Sequence, residues 1–110
     1  MNAPNSYRIL LIDTPDNKPL VKVFASWSGG YLSGDEYRIN SGTELITEDE
    51  SHYFFHGYSG SIYKLRKDVQ GSLTSYSAGI YNRILQQDCV KEITVQEAVN
   101  ILKGEQIDNH

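Results

Sequence analysis

The fold is decided by residues 52–66, which read HYFFHGYSGSIYKLR. Aromatic and β-branched residues favour strands, and residues 52–56 and 61–66 contain two such runs around the turn-forming residues 57–60. The stretch therefore predicts an antiparallel β-hairpin. Parallel strands need crossover connections of a dozen residues or more, so the short turns in the first two thirds of the chain predict an antiparallel sheet throughout.

Two further pairs of strands precede this hairpin. Residues 7–12 and 20–26 predict strands that pair across a cluster of turn residues. Residues 36–40 and 43–47 flank Ser41-Gly42, a spacing that suits a tight two-residue hairpin. The glycine-rich residues 26–35 between the two pairs predict a loop or a heavily bulged strand.

The apolar pattern changes period after Gly71. Apolar residues at three- and four-residue spacing, among them Tyr76, predict a helix over residues 72–87. The sequence from Thr94 to Glu97 is a capping box, and it predicts a second helix that Gly104 ends. The fold class predicted is α+β: an antiparallel β meander of about five to six short strands, followed by two helices packed on one face.

Composition indicates one globular domain. The chain has 110 residues, of which 39% are hydrophobic and 22% charged, as in ordinary globular proteins. This length suits a single domain over residues 1–110, with residues 1–6 and 105–110 frayed. No apolar run reaches the eighteen or so residues of a membrane span, and the first residues lack the features of a signal peptide. We expect a cytoplasmic protein without membrane contact, in which the single cysteine, Cys89, is a partly buried small hydrophobe.

Charge and motifs favour neither general nucleic-acid binding nor catalysis. The net charge is −4, and only residues 51–70 contain more bases than acids. His52 and His56 are four residues apart, so on one strand they lie about 13 Å from each other and cannot chelate one ion. Cys89 has no recognisable partner base. We predict a non-enzymatic protein with no metal and no cofactor.

Aromatic residues give the best functional signal, because consecutive rings on a strand cannot all point into one core. Exposed Tyr and Trp offer large contact area with few rotors to freeze, which is typical of protein-binding surfaces. The predicted partner-binding residues are concentrated between positions 27 and 63 and include nearby acids and one histidine: Trp27, Tyr31, Asp35, Glu36, Tyr37, Tyr53, Phe55, His56, Tyr58 and Tyr63.

Two alternatives remain open. The first is a single-stranded nucleic-acid binder with bases stacked on a sheet face and nearby cations on the phosphates, for which the residues are Tyr53, Phe55, Tyr63, Lys64, Arg66 and Lys67. The second is a small-ligand or enzyme site around His52 and His56, since sites can be assembled from residues distant in sequence.

Three segments between residues 23 and 66 resemble small phage and prophage proteins of unassigned function: residues 27–31, 34–42 and 53–64. The resemblance implies a phage accessory protein that occludes a host complex, such as a defence system in the manner of an anti-CRISPR. It assigns no role to any residue. The partner expected is a host protein or protein complex, and the open edges of a short-stranded sheet also predict a homodimer.

Overall fold

The computed structural model describes residues 1–30 and 34–107, with the side chains of residues 29, 30, 34, 35 and 105–107 outside that description. Seven strands and two helices follow one another in the described part. They are β1 (Ser6–Thr14), β2 (Asn17–Gly30), β3 (Gly34–Ile39), β4 (Thr43–Glu48), β5 (His52–Gly57), β6 (Ile62–Arg66), α1 (Ser75–Leu85), β7 (Val90–Ile93) and α2 (Val95–Ile107).

The strands form two antiparallel sheets, with the orders β3-β2-β1-β7 and β4-β5-β6. The predicted α+β class is confirmed, and so are the β1–β2 and β5–β6 hairpins. The strand count is slightly higher than predicted. The glycine-rich stretch is a bulged strand pair, since the β2–β3 register shifts between Trp27 and Gly30; residues 31–33 lie outside the described residues.

The four-stranded sheet has a core on each face because its central strands are apolar on both sides. Ile9 and Leu11 on β1 pack toward β5, β6 and α2. Leu10 between them points the other way and packs toward α1. The helices therefore lie on opposite faces of this sheet, and not on one face as predicted. The layers are α1, then the four-stranded sheet, then the three-stranded sheet together with α2.

The predicted hairpin around Ser41-Gly42 is wrong, because β3 and β4 belong to different sheets. Buried Asn40 makes the corner between them. Its backbone N–H donates to Val23 O (3.2 Å), its Oδ1 accepts from Val23 N–H (2.9 Å), and its Nδ2 donates to Thr43 Oγ1 (3.0 Å). Gly42 follows with φ of 132°, a conformation that L side chains rarely adopt. Both polar groups of the buried Asn40 side chain are thus paired where the chain changes sheets.

Strand β7 was not predicted from the sequence. It lies between α1 and α2 in the chain and pairs with β1. Its four residues are too few for strand periodicity to register, and its two central residues, Lys91 and Glu92, are both exposed. Cys89, immediately before it, is exposed rather than partly buried. Its carbonyl accepts a hydrogen bond from Asp13 N–H (2.8 Å), so the backbone at this position continues the ladder while the thiol faces solvent.

Both ends of the described chain belong to hydrogen-bonded elements. Asn2 pairs with β6 in a parallel bridge at Tyr63, donating to Ile62 O (2.8 Å) and accepting from Lys64 N–H (2.7 Å). Helix α2 continues through Gly104 to Ile107, and residues 108–110 lie outside the described residues. Its capping box is confirmed: Glu97 N–H donates to Thr94 Oγ1 (3.1 Å), and Thr94 N–H donates to Glu97 Oε1 (3.0 Å).

Candidate functional site

The predicted contact residues do not form one surface. Phe55 is fully buried and Tyr63 is 4% exposed, so neither side chain is available to a partner. Alternation is the reason: the odd-numbered residues of β5 and β6 face the four-stranded sheet and make the core between the layers. Tyr53 shares that orientation but lies at the rim and is half-buried. Tyr31 lies outside the described residues, as does the side chain of Asp35.

Trp27 and Glu36 lie together on the α2-facing side of the sheet. The guanidinium of Arg38 lies 5.8 Å from the centre of the Trp27 ring and pairs with Glu36 at 2.9 Å. Trp27 Nε1 donates to Ala3 O (3.1 Å). These groups contact one another, and the hydrogen bond from Trp27 ties Ala3 of the N-terminal segment to the sheet.

Tyr58 and His56 lie on separate surfaces. Tyr58 is 57% exposed at the β5–β6 turn, where its ring lies over Gly42. His56 lies on the outer face of the three-stranded sheet, and its Nε2 is 2.9 Å from Thr47 Oγ1. The predicted set is therefore spread over the core and several patches.

Tyr37 does lie in an open groove, which we call the α1–β3 groove. The cavity measures about 560 Å³, within the usual range for binding clefts. One wall is the flank of α1, and Tyr37 of β3 forms the other. Its lining residues are Tyr37, Tyr76, Gly79, Ile80, Arg83, Ile84 and Gln87.

A stack of aromatic rings forms one end of the α1–β3 groove. The Tyr37 ring lies on Phe24, with centroids 5.4 Å apart and planes 13° from parallel. The Tyr76 ring lies next to Tyr37, with centroids 6.3 Å apart and planes tilted by 55°. Phe24 is fully buried and Tyr76 is 53% exposed. The stack thus runs from the core to the surface, and the core ring fixes the orientation of Tyr37.

Polar contacts of Thr74, Ser77 and Tyr81, none of which lines the groove, fix helix α1 against the sheet. Ser26 Oγ donates to Ser77 Oγ (2.8 Å), and both residues are buried. The Tyr81 hydroxyl donates to Glu92, and burial together with this hydrogen bond raises the pKa of Tyr81. Thr74 caps the helix by accepting from Ser77 N–H (3.2 Å). The groove walls are therefore held by the fold itself.

The sequence identified only Tyr37 among the groove residues. Tyr76, Ile80 and Ile84 belong to the apolar stripe that predicts the helix, and the stripe by itself gives them no partner-binding role. The stripe is wider than the buried face, since Tyr76 is more than half exposed while Tyr81 is buried. An apolar stripe wider than a buried face indicates that part of the helix is exposed. Periodicity alone does not say which edge of the stripe packs against the protein.

The outer face of the three-stranded sheet is a second open surface. The even-numbered residues of β5, namely His52, Phe54 and His56, form a row of rings along the central strand. Lys64 pairs with Phe54, and Arg66 pairs with His52, on the neighbouring strand β6. Arg66 also forms an exposed ion pair with Asp68 at 2.7 Å.

A second cavity, of about 320 Å³, lies where β1, β7 and the start of α2 meet Tyr53 and Lys67. Lys67 Nζ lies 5.0 Å from the centre of the Tyr53 ring and 2.6 Å from Glu48 Oε1. The hydrogen bond to Glu48 raises the pKa of Lys67. This ion pair joins the end of β4 to the residue that follows β6.

Within residues 1–30 and 34–107, no group of three or more His, Cys, Asp or Glu side chains is placed to hold a metal ion. No helix in the same part of the chain is long and apolar enough to cross a membrane.

The fold and the groove define a small two-sheet α+β protein with an open aromatic cleft. Comparison with known proteins gives no matching family model, curated protein or solved structure.

Proposed function

We propose that this protein is a non-enzymatic binding module that acts by protein–protein contact through the α1–β3 groove. The observation that carries the proposal is the exposed ring of Tyr76 beside Tyr37, in an open groove whose walls are held by core contacts. Aromatic residues of this kind contribute much of the energy at protein interfaces, because they bury large area and lose little rotamer freedom. The resemblance to phage proteins makes a host protein complex the proposed partner, with inhibition as the outcome.

The proposal predicts that a partner contacts Tyr76 and not Tyr58. Both tyrosines are about equally exposed, at 53% and 57%, but only Tyr76 lines the groove. A photoreactive phenylalanine analogue at position 76 should give a specific cross-linked adduct in bacterial host lysate, and the same analogue at position 58 should not. Tyr76→Ala should lower recovery of that partner about tenfold or more, whereas Tyr58→Ala should leave it unchanged. Equal adducts at both positions, or none at either, would argue against the groove as a protein-binding surface.

Single-stranded nucleic acid on the outer face of the three-stranded sheet is the second candidate function. Of the three residues predicted for stacking, Phe55 and Tyr63 are core residues, and Tyr53 is half-buried and packs against the same core. The row of rings on the opposite face supports the idea in a different form, since Phe54 lies between two histidines and beside Lys64. Alternate residues on one face of a β-strand are spaced by about 7 Å, and the bases of an extended single-stranded nucleic acid can match that spacing.

A titration of labelled mixed oligonucleotides at low salt tests this second candidate. Affinity should fall as salt rises, because phosphate contacts release counterions. Phe54→Ala should weaken binding by about 1–3 kcal/mol, the usual value for one stacked base, and Lys64→Ala should reduce the salt dependence. A flat titration of the unmodified protein would remove the candidate.

A further inference from the structure

Strand β3 is an edge of the four-stranded sheet, and within the described residues it pairs only with β2. Asn40 N–H donates to Val23 O, which identifies the Val23–Asn40 pair as hydrogen-bonded. Hydrogen-bonded and non-hydrogen-bonded pairs alternate along an antiparallel ladder, so the Ala25–Arg38 pair is also hydrogen-bonded. The N–H and C=O groups of Tyr37 and Ile39 consequently point away from β2, toward the free edge.

The same two residues direct their side chains toward α1. Ile39 pairs with Phe24 and Tyr37 pairs with Ser26, so both side chains lie on the face that α1 covers. Ile39 is nonetheless 38% exposed. Tyr37 lines the groove, and Ile39 lies two residues further along the same face of β3, so the outward backbone groups of this edge lie beside the groove. An incoming extended strand that bonds to this edge would place every second side chain over the groove.

Arg83 gives the groove a positive charge. It is the charged residue among those lining the cavity, and it forms no ion pair within residues 1–30 and 34–107. On the other face of β3, Glu36 and Arg38 neutralise each other. The local charge that an added strand meets on the groove side is thus positive, although the whole chain has a net charge of −4.

We propose that the α1–β3 groove takes an extended segment of a partner protein by β-strand addition to β3. The segment would carry apolar side chains at alternate positions and a carboxylate that reaches Arg83. This rests on the proposed protein-binding function and specifies its mode. Main-chain hydrogen bonds supply affinity in this mode of recognition, and side-chain pockets supply specificity.

Selection from a displayed library of random twelve-residue peptides tests the proposal with an explicit probe. Peptides enriched on the unmodified protein should alternate apolar residues and contain Asp or Glu. Ile39→Pro should weaken their binding about tenfold or more, because it removes an outward N–H and places a ring at the edge, and proline is tolerated on edge strands at such positions. Ile39→Ala is the matched control: it removes the side chain but keeps the backbone donor, and it should weaken binding less than Ile39→Pro.

Arg83→Glu gives an independent readout. Selection against this variant should enrich Lys or Arg in place of the acids, and acidic peptides should lose about threefold to fivefold in affinity, as for an exposed ion pair. Urea unfolding of each variant checks that the fold is retained.

Three results would overturn strand addition: no enriched peptide, equal binding by Ile39→Pro and Ile39→Ala, or a concentration-dependent dimer that Ile39→Pro abolishes, since a second copy would then occupy the edge. If strand addition fails while the cross-link at position 76 persists, the protein-binding function stands and only its mode is wrong. If both fail, the groove has neither role.

Discussion

Phe55→Ala is expected to lower the free energy of unfolding by about 3–5 kcal/mol, which is a large part of the stability of a small domain. Phe55 is fully buried at the centre of the three-stranded sheet, in the core that joins this sheet to β1, β2 and α2. Alanine would leave a cavity between two hydrogen-bonded sheets, which can collapse onto it only in part. Urea unfolding followed by fluorescence measures the loss.

Phe54→Ala is the matched control, because the same side chain is removed one position away. Phe54 is half-buried on the outer face, so its removal creates no enclosed cavity and should cost about 1 kcal/mol. Losses of similar size for the two variants would mean that the layers do not pack through the odd-numbered residues of β5.

Gly71→Ala is expected to destabilise the protein by about 3 kcal/mol or more, for two reasons that add. Gly71 has φ of 81°, a conformation that L side chains rarely adopt. A Cβ at this position would also lie 2.6 Å from Asn5 O and 2.7 Å from Ser6 Cβ. The neighbouring backbone would have to move, and with it the hydrogen bonds from Tyr7 N–H to Gln70 O and from Arg8 to Gly71 O.

Gly60→Ala separates the two causes. Gly60 has φ of 92°, but a Cβ there would meet no atom within 4 Å. The conformational strain is retained and the clash is absent, so the expected cost is about 1–2 kcal/mol. If the two alanine variants lose equal stability by urea unfolding, the close approach of residue 71 to the start of β1 is not a constraint on the fold.

Features that depend on neighbouring residues could be predicted from the sequence. The β5–β6 hairpin follows from two strand-forming runs around a glycine turn, and the capping box of α2 follows from the Thr94 and Glu97 spacing. Alternation also established that Tyr53 and Phe54 point to opposite faces. It did not establish which face was buried, and for that reason Phe55 and Tyr63 were assigned to a partner-binding surface although they lie in the core.

Tertiary structure alone decided which strands share a sheet and where the groove lies. The turn at Ser41-Gly42 suits a hairpin locally, but Asn40 bonds to Val23, seventeen positions earlier, and turns the chain into the second sheet. Strand β7 exists because β1 offers it a free edge, and α1 leaves Tyr76 exposed because β3 extends beside it without covering it. Local sequence sets periodicity and turns, whereas the partner of each face depends on residues far away in the chain, whose contacts no local pattern encodes.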